Sequence, residues 1–158
     1  MVKELSGTLI ISNPVSGYRS LEAIQYFKQG EVLSKFGAFS TSEVPTRYTL
    51  QVGEKKHIVL DPPMLQYINH SCKPNLFFDT KAMEVICIED IKAGSFFTYF
   101  YPSTEWQMGE IFHCNCGARD CLKEIKGASY LSPEELKKYR FTDFILKKLH
   151  FPPSESLQ

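Results

Sequence analysis

Three cysteines stand within residues 114–121 of this chain, in the string "FHCNCGARDCL". Cys114, Cys116 and Cys121 form C-x-C-x-x-x-x-C, and Gly117 follows the second. Thiols this close in sequence are not explained by packing. A fold that contains them must be built around what they share. The opening segment "MVKELSGTLIISNPV" lacks the basic start, long apolar run and cleavage site of a secretory leader. A reducing compartment, cytoplasmic or nuclear, is therefore expected. There the five cysteines of the chain point to metal or chemistry rather than to disulfides. Zinc takes four tetrahedral ligands in a closed structural site, so one more ligand must come from elsewhere. Cys87 lies in the apolar string "VICI" and reads as a small buried hydrophobe. Cys72, in the polar string "YINHSCKPN", is the better candidate, and His113 competes through its place beside Cys114.

A length of 158 residues implies one domain with a real core. Lys plus Arg number 18, as do Asp plus Glu, so the basic excess of a nucleic-acid binder is missing and no direct nucleic-acid binding is expected. Apolar runs such as "FFTYFY" are too short to span a bilayer, so no membrane role is expected.

The first hundred residues read as short strands broken by turns. "GTLIIS", "EVLSKF", "MEVICIEDI" and "SFFTYFY" are strand candidates, and "RYTLQV-GEKK-HIVL" is a hairpin with Gly53 in its turn. Leu21–Lys28 has a helical period. Pro62 and Pro63 end one element and turn the chain toward the Asn-His string. The tail differs. Ser132-Pro133-Glu134-Glu135 is a capping box with Pro at the first helical position. A second helix is expected from about Thr142 to His150, with Phe144, Ile145 and Leu149 on its apolar face and Pro152 and Pro153 stopping it.

"INHSCKPN", "IEDIKAGSFFTYFYP" and "FHCNCGARDCL", in that order, resemble the SET-domain family of protein-lysine methyltransferases with a post-SET zinc loop. Upstream, "SGYRSLEAIQYFKQGEVLSKFG" resembles the family's opening stretch, and the likeness runs from Gly17 to Leu122. The resemblance implies an α+β, mostly β fold: several short sheets around a pseudoknot, a zinc-bound post-SET loop and a short helical tail. It divides the chain into a SET domain at 1–110, a zinc-binding loop at 111–126 and a helical extension at 127–158. S-adenosylmethionine is the implied methyl donor. Gly17, Tyr18, Asn69, His70, Tyr101 and Leu122 are its implied contacts, and Cys72 completes one structural zinc site with Cys114, Cys116 and Cys121.

The chemistry of methyl transfer suits these residues. Displacement at a sulfonium methyl needs alignment more than acid–base machinery. The amine must be neutral, although free lysine has a pKa near 10.4. A dry aromatic channel favours the neutral form. By resemblance, Tyr101 places its hydroxyl beside the transferring methyl. Tyr99 stands where the family alternates Phe and Tyr to control methyl number, and Tyr48 lines the same channel. Two hydroxyls at the amine imply mainly mono- or dimethylation. Arg19 stands where many members have a second Gly, and Phe96 and Phe100 replace acidic residues. Glu105 and Trp106 fall between channel and zinc loop: both are candidates for the substrate groove, with anchoring of the loop the favoured alternative for Trp106. The partner implied is a protein with a target lysine, histone or not. A methyltransferase for a non-protein amine and a catalytically silent SET binding module stay open as alternatives.

Overall fold

The structure is a computed structural model that describes residues 5–150. β1 (Thr8–Ser12) and β2 (Arg19–Ala23) form an antiparallel hairpin, with Thr8 opposite Ala23 and Ser12 opposite Arg19. Asn13 shapes the turn by accepting the N–H groups of Val15 and Ser16 on its side-chain oxygen. Gly17, at φ +73°, donates its N–H to the Asn13 carbonyl.

The helical period of Leu21–Lys28 is not realised. Leu21 and Ala23 are buried on alternate positions while Ile24 is 55 % exposed, which is strand geometry. Pairing with β1, and backbone bridges from Glu22 to Phe96 and from Phe27 to Ile91, satisfy the polar groups a helix would have used.

β3 (Val32–Lys35) belongs to the largest sheet. β4 (Gly37–Ser42), β5 (Thr49–Gly53) and β6 (Lys56–Asp61) make a separate antiparallel sheet of order β4-β6-β5, and β5–β6 is the hairpin read in the sequence. Pro62 and Pro63 end β6 and open a short 3₁₀ turn over Pro63–Tyr67. The chain then adds β7 (Asn69–His70), β8 (Leu76–Asp79), β9 (Glu84–Cys87) and β10 (Thr98–Tyr99), in the sheet order β3-β9-β8-β10-β7. The late strand β10 therefore lies between two earlier ones and runs parallel to both. The Asn75 side chain acts as an extra rung there: it donates to Phe96 O at 2.9 Å and accepts from Thr98 N at 2.8 Å. Of the strand expected over "SFFTYFY", only Thr98–Tyr99 forms a ladder. Pro102, which has no N–H, follows in a 3₁₀ turn at Tyr101–Ser103.

β11 (Phe112–His113) and β12 (Glu124–Ile125) pair as a two-residue ribbon. α1 (Pro133–Leu136) begins with both bonds of the Ser132–Glu135 capping box, and α2 (Asp143–Lys148) is capped by Thr142. α2 buries Ile145 and Leu146, with Phe144 and Leu149 half-buried beside them. Pro152 and Pro153 lie outside the described residues. The main core gathers Leu21, Leu50, Ile58, Phe78, Val85 and Phe97 between the sheets. A second cluster packs the tail on Phe100, whose ring stacks on Tyr139 at 3.6 Å. No helix among the described residues is long and apolar enough to cross a membrane.

Candidate active site and metal centre

The Sγ atoms of Cys72, Cys114, Cys116 and Cys121 all lie within 4.8 Å of one another. Cys72 Sγ is 4.0 Å from Cys114 Sγ and 3.9 Å from Cys121 Sγ. Metal–sulfur bonds of about 2.3 Å in a tetrahedron give sulfur–sulfur edges of ~3.8 Å. The donor set and its spacing thus fit one thiolate-bound divalent metal. Burial pushes the Cys72 and Cys114 thiols up, Cys114 to about 11, so a cation is what would hold them ionised. Gly117 takes φ +78° where the loop turns between Cys116 and Cys121. His113 is exposed on β11 and outside the cluster, and Cys87 is a separate free thiol buried in β9.

His70 joins this cluster to the tyrosine segment. Its Nδ1 accepts the Tyr101 backbone N–H at 3.1 Å, and its Nε2 lies 3.4 Å from Cys72 Sγ. Burial lowers its pKa to about 3, so the ring is neutral. The backbone donor at Nδ1 places the proton on Nε2, facing the sulfur. The imidazole, and not the main chain alone, therefore carries the link. Asn69, one residue earlier, donates its amide to Arg19 O at 3.1 Å and Ser20 Oγ at 2.9 Å, tying β7 to the start of β2.

A cavity of about 940 Å³ opens beside the cysteines. Gly17, Tyr18, Tyr48, Asn69, His70 and Tyr101 line it, together with Cys114 and Cys116. This volume suits a small-molecule ligand. The cavity thus unites most of the cofactor and channel residues read in the sequence. Leu122 is not in its wall: its N–H donates to Cys72 Sγ at 3.4 Å and its side chain packs in the tail and cysteine clusters. Tyr99 lies beneath the wall, 7 % exposed, its ring 4.6 Å from that of Phe78 and 4.7 Å from that of Tyr101. The Tyr101 hydroxyl donates to Ile68 O at 3.3 Å. Burial, reinforced by Tyr18, raises its pKa, so the phenol stays neutral.

Other residues of the site carry no motif. Arg47 stacks over the rings of Tyr18 at 4.8 Å and Tyr48 at 5.8 Å, and Phe112 lies 5.8 Å from Tyr101. Only the local string "TRYTL" marks Arg47, as a cation beside a channel tyrosine. Arg19 reaches Tyr67 instead, donating to its hydroxyl at 2.8 Å. Glu105 is not a groove residue. It is buried under the site, where its Oε2 accepts from Gln51 N at 3.0 Å and Thr104 Oγ1 at 2.6 Å. Trp106 packs against the tail cluster with Lys148 over its ring at 5.1 Å, as an anchor does.

The sequence matches the SET domain family over residues 4–102, more than half of the chain. The chain belongs to the SET-domain family. It is 36 % identical over 123 residues to the methyltransferase flvH of Aspergillus flavus, covering 77 % of this chain and 67 % of that protein. Together these make it a methyltransferase of the SET family. Its fold is similar to KRYPTONITE, solved with S-adenosylhomocysteine (SAH), a histone H3(1–15) peptide and mCHH DNA, at TM-score 0.56 and 21 % identity over 77 % of this chain. A second KRYPTONITE structure, with SAH and mCHG DNA, matches at TM-score 0.58 and 18 % identity. The chain spans 30 % of the length of those solved chains.

Proposed function

We propose that this chain transfers the methyl group of S-adenosylmethionine to the side-chain amine of a lysine in a protein substrate, mainly to the mono- or dimethyl state. The observation that carries the reading is the one cavity that gathers Gly17, Tyr18, Asn69, His70 and Tyr101 against the cysteine cluster. That SAH and a histone peptide accompany the similar fold of KRYPTONITE supports it.

In this reading the loop at Gly17 and Tyr18 and the Asn69–His70 strand hold the donor. Cys72, Cys114, Cys116 and Cys121 hold one structural zinc, which fixes the loop at 111–126 as the cavity's wall. The neutral Tyr101 hydroxyl, anchored on Ile68 O, turns its oxygen lone pairs to the polarised methyl. The aromatic surround of Tyr101, Tyr99 and Phe112 excludes water and favours the neutral amine. Tyr99 adds a second hydroxyl at the amine. Each added methyl removes an N–H and adds bulk, so successive products fit worse, and Tyr99→Phe should allow higher methyl states.

One observation favours a non-protein amine as the alternative substrate. The cavity wall carries Arg19 and Arg47 against the single carboxylate Glu110, a poor match for a Lys- and Arg-rich tail. The test is calorimetry with S-adenosylmethionine, followed by transfer of a labelled methyl into a cell lysate split into protein and small-molecule fractions. Label on a protein lysine supports the proposal, and label confined to small amines selects the alternative. Donor binding without transfer to either fraction would leave a silent binding module.

A further inference from the structure

A second cavity, of about 690 Å³, opens on the Cys72 side of the cysteine cluster. It shares no lining residue with the larger cavity, whose wall holds Cys114 and Cys116. Three parts of the chain meet around it: β8 with the loop before it, the turn between Cys116 and Cys121, and the segment joining α1 to α2. Its floor is apolar and largely aromatic. Leu76, Phe77, Phe100 and Tyr139 supply it, each at most 8 % exposed. Ser103 also lines the cavity. It is 2 % exposed, and its Oγ has no hydrogen-bond partner among the described residues. A buried hydroxyl left without a partner is unusual and calls for one.

The rim is basic. Lys73, Arg119, Lys138 and Arg140 line it against two carboxylates, Glu89 and Asp120. Asp120 is already taken by Lys138 at 3.2 Å. Lys73, Arg119 and Arg140 form no ion pair among the described residues. The whole chain balances 18 basic against 18 acidic residues, so this surplus is a local arrangement. Arg140 lies over the Phe77 ring at 4.2 Å. A guanidinium stacked by its face keeps its N–H edge for an anion. The volume is that of a small-molecule site.

We propose that this cavity binds a small amphipathic anion, an apolar body ended by a carboxylate or a phosphate. Arg119 and Arg140 hold the head, and Lys73 adds charge at the rim. The Ser103 hydroxyl donates to an oxygen of the occupant, while the body covers the aromatic floor. Arg119 belongs to the turn between Cys116 and Cys121, so an occupant ties that turn to the tail. The inference is independent of which amine accepts the methyl group.

The test is calorimetry with 1-naphthyl phosphate and 1-naphthoate on the zinc-loaded protein saturated with SAH, which keeps the larger cavity filled. Both anions should bind, and neutral 1-naphthalenemethanol at least about tenfold more weakly. Arg119→Glu and Arg140→Glu, both at exposed positions, should each weaken the anions about tenfold and leave the neutral probe unchanged. The unchanged neutral probe shows that these variants are folded. Ser103→Ala should weaken the anions about fivefold, the scale of one hydrogen bond. Amide NMR should show probe-dependent shifts at residues 72–77, 118–120 and 138–140. Tighter 1-naphthyl phosphate assigns a phosphate head, and tighter 1-naphthoate a carboxylate head. Equal affinity for the neutral analogue would overturn the proposal, as would full affinity in both charge-reversed variants. Shifts confined to Gly17 and Asn69, or no binding of either anion, would overturn it too.

Discussion

Leu21, Leu50, Ile58 and Phe78 vanish between three hydrogen-bonded sheets, whereas Cys72, Cys114 and Ile125 share a small cluster with two more thiols and a two-residue ribbon. The first region is held by apolar area and strand ladders, which need no outside help. The second has two-residue strands, 3₁₀ turns and loops, with few apolar groups. The His70 ring ties the regions by spanning Cys72 and Tyr101. From the tail cluster, the Tyr139 hydroxyl donates to Cys72 O at 2.8 Å. Both contacts converge on Cys72. The difference teaches that order at the cavity wall is borrowed from the cysteine cluster, while the cavity floor is ordered by the core.

The sharpest way to break that comparison is Cys72→Ser. It should lose the metal and release residues 111–126 while the sheet core stays folded, because the remaining three thiols cannot close a tetrahedral site. Metal content with amide hydrogen exchange checks this: fast exchange in β11 and β12 with protection kept in β5, β6 and β8 is expected. Metal retained in Cys72→Ser but lost in His113→Ala would reject the ligand set. Cooperative loss of both regions together would reject the division.

The two regions also differ in how far the sequence reveals them. The cysteine spacing and the Asn-His string lead directly to the four-cysteine cluster and the cavity, since each is a local pattern with its chemistry built in. The Ser132 capping box is equally local. Leu21–Lys28 misleads because β1 and the bridges to Phe96 and Ile91 decide its conformation, and those partners are remote. "SFFTYFY" misleads because Phe97 and Phe100 are both buried, in different clusters, and the run turns at Pro102. Arg47 and Phe112 join the site only through tertiary approach. Glu105 reads as a groove residue because a carboxylate is ordinarily exposed; Gln51, far away in sequence, is what allows its burial.

On the cavity side, Tyr101→Phe tests whether the floor does chemistry. Removing the hydroxyl keeps the ring packed against His70 and Phe112. A fall of about a hundredfold in kcat is expected, ~2.7 kcal/mol, with S-adenosylmethionine affinity unchanged. An active Tyr101→Phe protein would remove the role given to this oxygen.

Asn69→Ala tests the seam between β7 and β2. Arg19 O and Ser20 Oγ would lose their donor, and donor binding should weaken by about 1–3 kcal/mol, the cost of polar groups left unpaired. Calorimetry showing equal affinity in parent and variant would contradict it.

The smallest effect is expected where the two regions meet through a charge. Burial raises Glu105 from 4.5 to about 7, while its hydrogen bonds from Gln51 and Thr104 oppose the rise. The folded state therefore holds this proton more tightly than the unfolded chain. Below the ordinary carboxylate range both states are protonated and the site costs nothing. As pH rises toward 7 the unfolded chain ionises first, so this group's contribution to stability is lost across that window, and above it the loss is complete. Glu105→Gln cannot ionise and should escape the loss. Relative to the parent it should gain about 2 kcal/mol between pH 5 and pH 8, because each tenfold difference in proton affinity between the folded and unfolded chain is worth ~1.4 kcal/mol and part of the loss has already occurred at pH 5. Urea unfolding of both zinc-loaded proteins at the two pH values measures it, and the cysteine and histidine contributions cancel in the difference. Parallel pH profiles would mean that Glu105 is hydrated or already paired, and that the seam between β5 and the tyrosine segment is not the dry junction its burial describes.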